Sequence, residues 1–113
     1  MDLARFEQLV EDRADEWASL GIVHEFHYPS DEELERAKTA AWVVIETELA
    51  GGQLIVWDSG EAELSLIYKL DGASRDVHYD LSDDSLGDCI SELTGLLLAR
   101  PAEELLHRRP ISN

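Results

Sequence analysis

The side chains of this chain able to do chemistry are four histidines, one cysteine, a Ser-Gly pair and 25 carboxylates, and their spacing decides what each can do. His24 and His27 lie three apart on a stretch that alternates as a strand, so they point to opposite faces and cannot chelate one ion together. Glu25 and His27 share a face, as do His78 and Asp80, but two ligands without a third at useful spacing make a poor metal site. Cys89 falls beside Ile90 on an apolar helical stripe in acidic surroundings, which raise a thiol pKa; it reads as a small buried hydrophobe rather than a nucleophile. Ser59-Gly60 lacks the GxSxG frame and the strand-to-helix context of a nucleophile elbow. Gly51-Gly52 lacks the downstream lysine and helix of a phosphate loop and reads as a hairpin turn. Pairs such as Asp83-Asp84 are too common in so acidic a chain to mark acid–base catalysis. No catalytic, cofactor-binding or metal-ligating residue is assigned, and the chain reads as a non-enzyme.

What the residues do mark is a surface. In QLIVWDSGEAELSLIYKL, residues 53–70, two runs of period two flank a tight acidic bend: Leu54 and Val56 alternate with Ile55 and Trp57, and after Gly60 the positions Ala62, Leu64, Leu66, Tyr68 and Leu70 resume the period. Trp57, Asp58, Glu61 and Glu63 gather at the bend, where turn geometry leaves side chains free to meet a partner, and they are the predicted partner-binding residues. Trp42 and Trp57 stand on neighbouring strands. Burial against a helix is the ordinary fate of an indole, whereas exposure of one beside Asp58 and Glu61 would make it an interaction anchor.

Composition says what kind of partner to expect. Nine basic against 25 acidic residues give a formal charge of −16. Such a surface repels a phosphate backbone and an anionic membrane and steers a basic protein toward itself. One cysteine forms no internal disulfide, the N-terminal MDLARFEQLVED has neither a basic start nor a long apolar run, and no stretch approaches the roughly 18–20 apolar residues of a membrane span. These features predict a cytoplasmic protein.

The elements that must position this surface follow from periodicity. Leu3, Phe6, Leu9, Val10, Trp17 and Leu20 predict an amphipathic helix over about 2–20, stopped by Gly21. Strands follow at 22–28 and 40–48, then in the 53–70 hairpin and at 75–81 after the turn Asp71-Gly72. Between the first two, Ser30 and Glu33 form a capping box for a short helix in 30–38. Ser82 or Asp83 caps a last helix through about Ala99, with Leu86, Ile90, Leu93 and Leu97 as its stripe. The expected fold is α+β, one domain over 1–113: an antiparallel β-meander of four to five strands with the N- and C-terminal helices packed on one face. Residues 100–113 read as a short helical extension.

A core of WVVIETELAGGQLIVWDSGEAELSLI followed by a polar turn, VHYDL and a leucine-rich helix resembles the TriTu family of bacterial immunity proteins over about residues 3–98. The sharpest element is Trp57 followed by Ser59-Gly60-Glu61 and Glu63; the helical 29–38 segment and the tail from Arg100 depart from it. The resemblance implies a small cytosolic protein of a polymorphic toxin system that neutralises a cognate toxin by direct binding. Two other readings suit the same size and charge: a small acidic secretion chaperone, and a DNA-mimic inhibitor of a nucleic-acid-binding protein.

Overall fold

A computed structural model describes residues 2–35, 38–81 and 83–99. Helix α1 (Leu3–Ser19) is followed by β1 (Val23–His27), a single-turn α2 (Asp31–Leu34), β2 (Ala40–Glu46), β3 (Ala50–Trp57), β4 (Glu61–Tyr68), β5 (Ser74–Asp80) and α3 (Asp83–Ala99). The five strands form one antiparallel sheet in chain order, the expected meander at its upper strand count.

Local chemistry sets most of these boundaries. The Asp2 carboxylate accepts from the amide of Ala4 and opens α1, and Gly21, at φ +76°, turns the chain into β1. Leu20 lies past the helix end and is exposed, so it does not join the apolar stripe it was expected to extend. The Ser30 hydroxyl accepts from the Glu33 amide and donates to Glu33 Oε1, so the helix start is capped by Ser30 but the Glu33 carboxylate takes the hydroxyl rather than the Ser30 amide of a full capping box, and α2 closes after four residues. Residues 36–37, the Ser82 cap and the 100–113 extension lie outside the described residues.

One sheet face is dry. Ala41, Val43 and Ile45 of β2, Leu54 and Val56 of β3, and Ala62, Leu64 and Leu66 of β4 are all buried on it, against Phe6, Val10 and Trp17 of α1 and Leu86, Ile90, Leu93 and Leu97 of α3. Phe6 meets the edge of Phe26 at 5.2 Å, and the Tyr68 hydroxyl donates to the carbonyl of Leu96, so both helices lie on the same side of the sheet. Each large side chain fully buried in this layer contributes roughly 1.5–3 kcal/mol. Side chains of α1 tie it to α3: the Trp17 indole N–H donates to Thr94 Oγ1 at 2.9 Å, and Arg13 donates to the Gly87 carbonyl and the Ser91 hydroxyl.

The glycine pair is not the turn between β2 and β3. That turn falls at 47–49, where Thr47 Oγ1 accepts from the amides of Leu49 and Ala50, and Gly51 and Gly52 lie inside β3. The reason is packing. A Cβ on Gly52 would stand 3.0 Å from both Leu66 Cδ1 and Leu93 Cδ1, so a residue without a side chain lets α3 approach the sheet. Gly51 faces the other way, with Ile67 Cγ2 3.8 Å from where its Cβ would be.

Candidate partner-binding face

Among the described residues no helix packs on the second sheet face, and strand register arranges its side chains. His27, Trp42, Ile55, Glu63 and His78 are successive cross-strand partners and form one row from β1 to β5. Beside that row Ala40 pairs with Trp57 and Glu61 with Asp80. Both Trp42 and Trp57 are therefore half-buried on this outward face, and neither indole enters the core; that place belongs to Trp17. Local pattern could not choose, because Ala40, Trp42 and Val44 are as apolar as Ala41, Val43 and Ile45.

The β3–β4 turn is held rigidly at one end of the face. Gly60, at φ +97°, accepts from the amide of Leu81 at 2.7 Å, and a Cβ there would lie 2.8 Å from the Leu81 carbonyl oxygen. The Asp58 amide donates to the Thr39 carbonyl. Of the four predicted residues, Trp57, Glu61 and Glu63 share the outward face and Asp58 sits half-buried in the turn beside them. Lys38 joins them, which the sequence reading missed. Its Nζ is 2.9 Å from Glu61 Oε2 and 5.4 Å above the Trp57 ring, and this hydrogen bond and charge hold the Glu61 carboxyl below the ordinary carboxylate range. Glu63 Oε1 lies 3.8 Å from His78 Nδ1, and His27 stacks on Trp42 at 4.0 Å with its Nε2 3.8 Å from Glu33 Oε2.

Farther along the face, the missing side chain of Gly51 leaves a shallow trough of about 340 Å³ between Val44 and Ile67, with Glu46 and Asp76 on its rim. A second depression, about 440 Å³, adjoins it and is lined by Glu63, Ser65, Asp76 and His78. Carboxylates on this side come from every strand but β3: Glu25, Glu46, Glu61, Glu63, Asp76 and Asp80. Two lysines offset them, Lys38 on Glu61 and Lys69 on Glu46. The face thus mixes indoles and aliphatic side chains, Trp42, Val44, Ile55, Trp57 and Ile67, with carboxylates, a composition suited to a basic protein surface.

The remaining reactive groups lie elsewhere. Cys89 is buried on the inner side of α3, where burial first and the Glu92 charge second push its thiol up to about 11, so it is a packing residue as its position on the stripe implies. Burial and the neighbouring Glu92 carboxylate likewise raise the Tyr79 hydroxyl. His24 packs against Trp17 at 5.3 Å on the face opposite His27. Among the described residues no three His, Cys, Asp or Glu side chains come together as a ligand set, and no helix is long and apolar enough to cross a membrane.

A family model described as the immunity protein TriTu matches residues 4–97. No curated protein and no solved structure matches the chain.

Proposed function

The chain belongs to the TriTu family of immunity proteins, and from that membership we propose that it neutralises a cognate bacterial toxin by binding one toxin domain per molecule, without chemistry of its own. The observation that carries the reading is the open sheet face, where two indoles stand among carboxylates. Trp57, Asp58, Glu61 and Glu63, at the rigid end of that face, form part of the contact. Indoles on a stiff backbone supply contact area at little entropic cost, and the acidic rim selects a basic partner. The protein acts in the cytoplasm, as expected of a family that protects the cell making the toxin.

The test is co-expression with the C-terminal domain of a toxin from the gene neighbouring this chain's own, followed by affinity capture and growth rescue. A one-to-one complex and rescue proportional to its amount are expected. The association rate falls as salt rises, because steering acts over a Debye length of about 8–10 Å near physiological ionic strength. Rescue by one molecule per many toxin molecules would refute stoichiometric neutralisation.

A further inference from the structure

We propose that the toxin is held by the open sheet face as far as its Gly51 trough, and that its anchor there is a long basic side chain: the aliphatic stem lies in the trough and the cation reaches Glu63 and Asp76. This rests on the immunity reading and names the surface and the chemistry that complete it. The trough exists because residue 51 has no side chain, and its walls, Val44 and Ile67, are 37% and 50% exposed, covered by none of the described helices. An apolar slot opening onto carboxylates fits a lysine or arginine, whose stem is apolar and whose end is charged.

The carboxylates are placed for it. Glu63 pairs with His78 and Ser65 with Asp76, so Glu63 and Asp76 are diagonal neighbours on β4 and β5, a separation of roughly 7–8 Å that a bound cation would bridge. Both line the depression that adjoins the trough. Among the described residues neither pairs with a lysine or arginine, Lys38 and Lys69 being engaged by Glu61 and Glu46. A second copy of this chain is a poor occupant, since it would set acidic face on acidic face in a protein of charge −16. Area also favours the whole face. Five strands about 4.8 Å apart and seven residues long at about 3.3 Å each project roughly 550 Å², below the ~800 Å² per partner of a standard interface, so face and turn are needed together.

The decisive variant is Gly51→Val. The backbone of Gly51 is not in the left-handed region and its Cβ position has only an ordinary contact, so valine, a good strand former, places its side chain in the trough. The probe is the C-terminal domain of the toxin encoded beside this chain, bound to the full-length protein. Gly51→Val and Asp76→Lys are each expected to weaken affinity about tenfold or more, chiefly through faster dissociation, with circular dichroism and melting unchanged. Glu11→Lys, on the exposed side of α1, changes net charge as much as Asp76→Lys and is expected to stay within about threefold of the parent. If the parent neither binds nor rescues, the immunity reading itself falls. If the parent binds and rescues while Gly51→Val and Asp76→Lys bind as tightly, or if Glu11→Lys loses as much as Asp76→Lys, the trough is not the anchor site and only this proposal is overturned. Asp76→Lys decides alone should Gly51→Val not fold.

Discussion

Replacing Thr94 with valine tests what keeps both helices on one side of the sheet. Trp17 is fully buried and its indole N–H donates to Thr94 Oγ1 at 2.9 Å, while the same hydroxyl donates to the Ile90 carbonyl at 3.0 Å. Valine keeps the shape of threonine, so Thr94→Val opens no cavity. It leaves the indole N–H without an acceptor in a dry interior, a cost of about 1–3 kcal/mol. At about 2.1 cal/mol/K of unfolding entropy per residue, 113 residues give roughly 240 cal/mol/K, so each kcal/mol lowers Tm by about 4 °C. The expected fall is therefore about 4–13 °C, read by circular dichroism at 222 nm because the fluorophore is one of the partners. Trp17→Phe loses packing volume but strands no donor, since Thr94 keeps its bond to Ile90, and it should cost about 1–3 kcal/mol. In the double variant the donor is gone when the acceptor is removed, so the loss should be at least about 1 kcal/mol smaller than the sum of the singles. An additive cycle, or a Thr94→Val protein that melts with the parent, would show that the hydrogen bond does not clamp α1 to α3.

Charge reversal at Asp58, Glu61 and Glu63 together should weaken toxin capture while the same reversal at Asp31 and Glu32 should not; the opposite ranking, with both proteins folded, moves the contact to the α2 segment. Lys38→Ala removes the group that neutralises Glu61 and covers Trp57, so the Glu61 carboxyl rises toward its ordinary range and toxin association speeds up at low salt, with the gain shrinking as salt rises. Slower association would mean that Lys38 itself touches the toxin. Cys89 should resist a disulfide reagent at pH 8 until the protein is unfolded. Its folded pKa is raised from 9.0 to about 11, so its contribution is fully present below about pH 9 and is lost as pH rises through about 11; a denaturation series from pH 8 to 11 should fall more gently for Cys89→Ala, and parallel curves would contradict the burial argument.

Much of this architecture is written in local pattern. The stripe Leu86, Ile90, Leu93 and Leu97 marks a buried helical face, the period-two runs around Gly60 mark β3 and β4, and Gly21, Gly60 and Gly72 stand where the chain takes positive φ. The Ser30 cap and the acidity of the chain are equally local. These features need only neighbours a few residues away, and elementary geometry reads them.

What only the tertiary structure decided is which face of each strand points outward and what gathers there. Alternation defines two faces but does not say which one a helix will cover, and on β2 and β3 both faces are apolar enough to be core. Register and the seats of α1 and α3 settle that choice: they place Trp17 inside, put Trp42 and Trp57 outside, and draw Gly51-Gly52 from an expected turn into a strand. Lys38 reaches Glu61 across 23 residues, and Glu63 meets His78 only because β4 and β5 pair in one particular register. The acidity is a property of composition; the shape of the open face is a sum of long-range contacts, and no short window of sequence contains them.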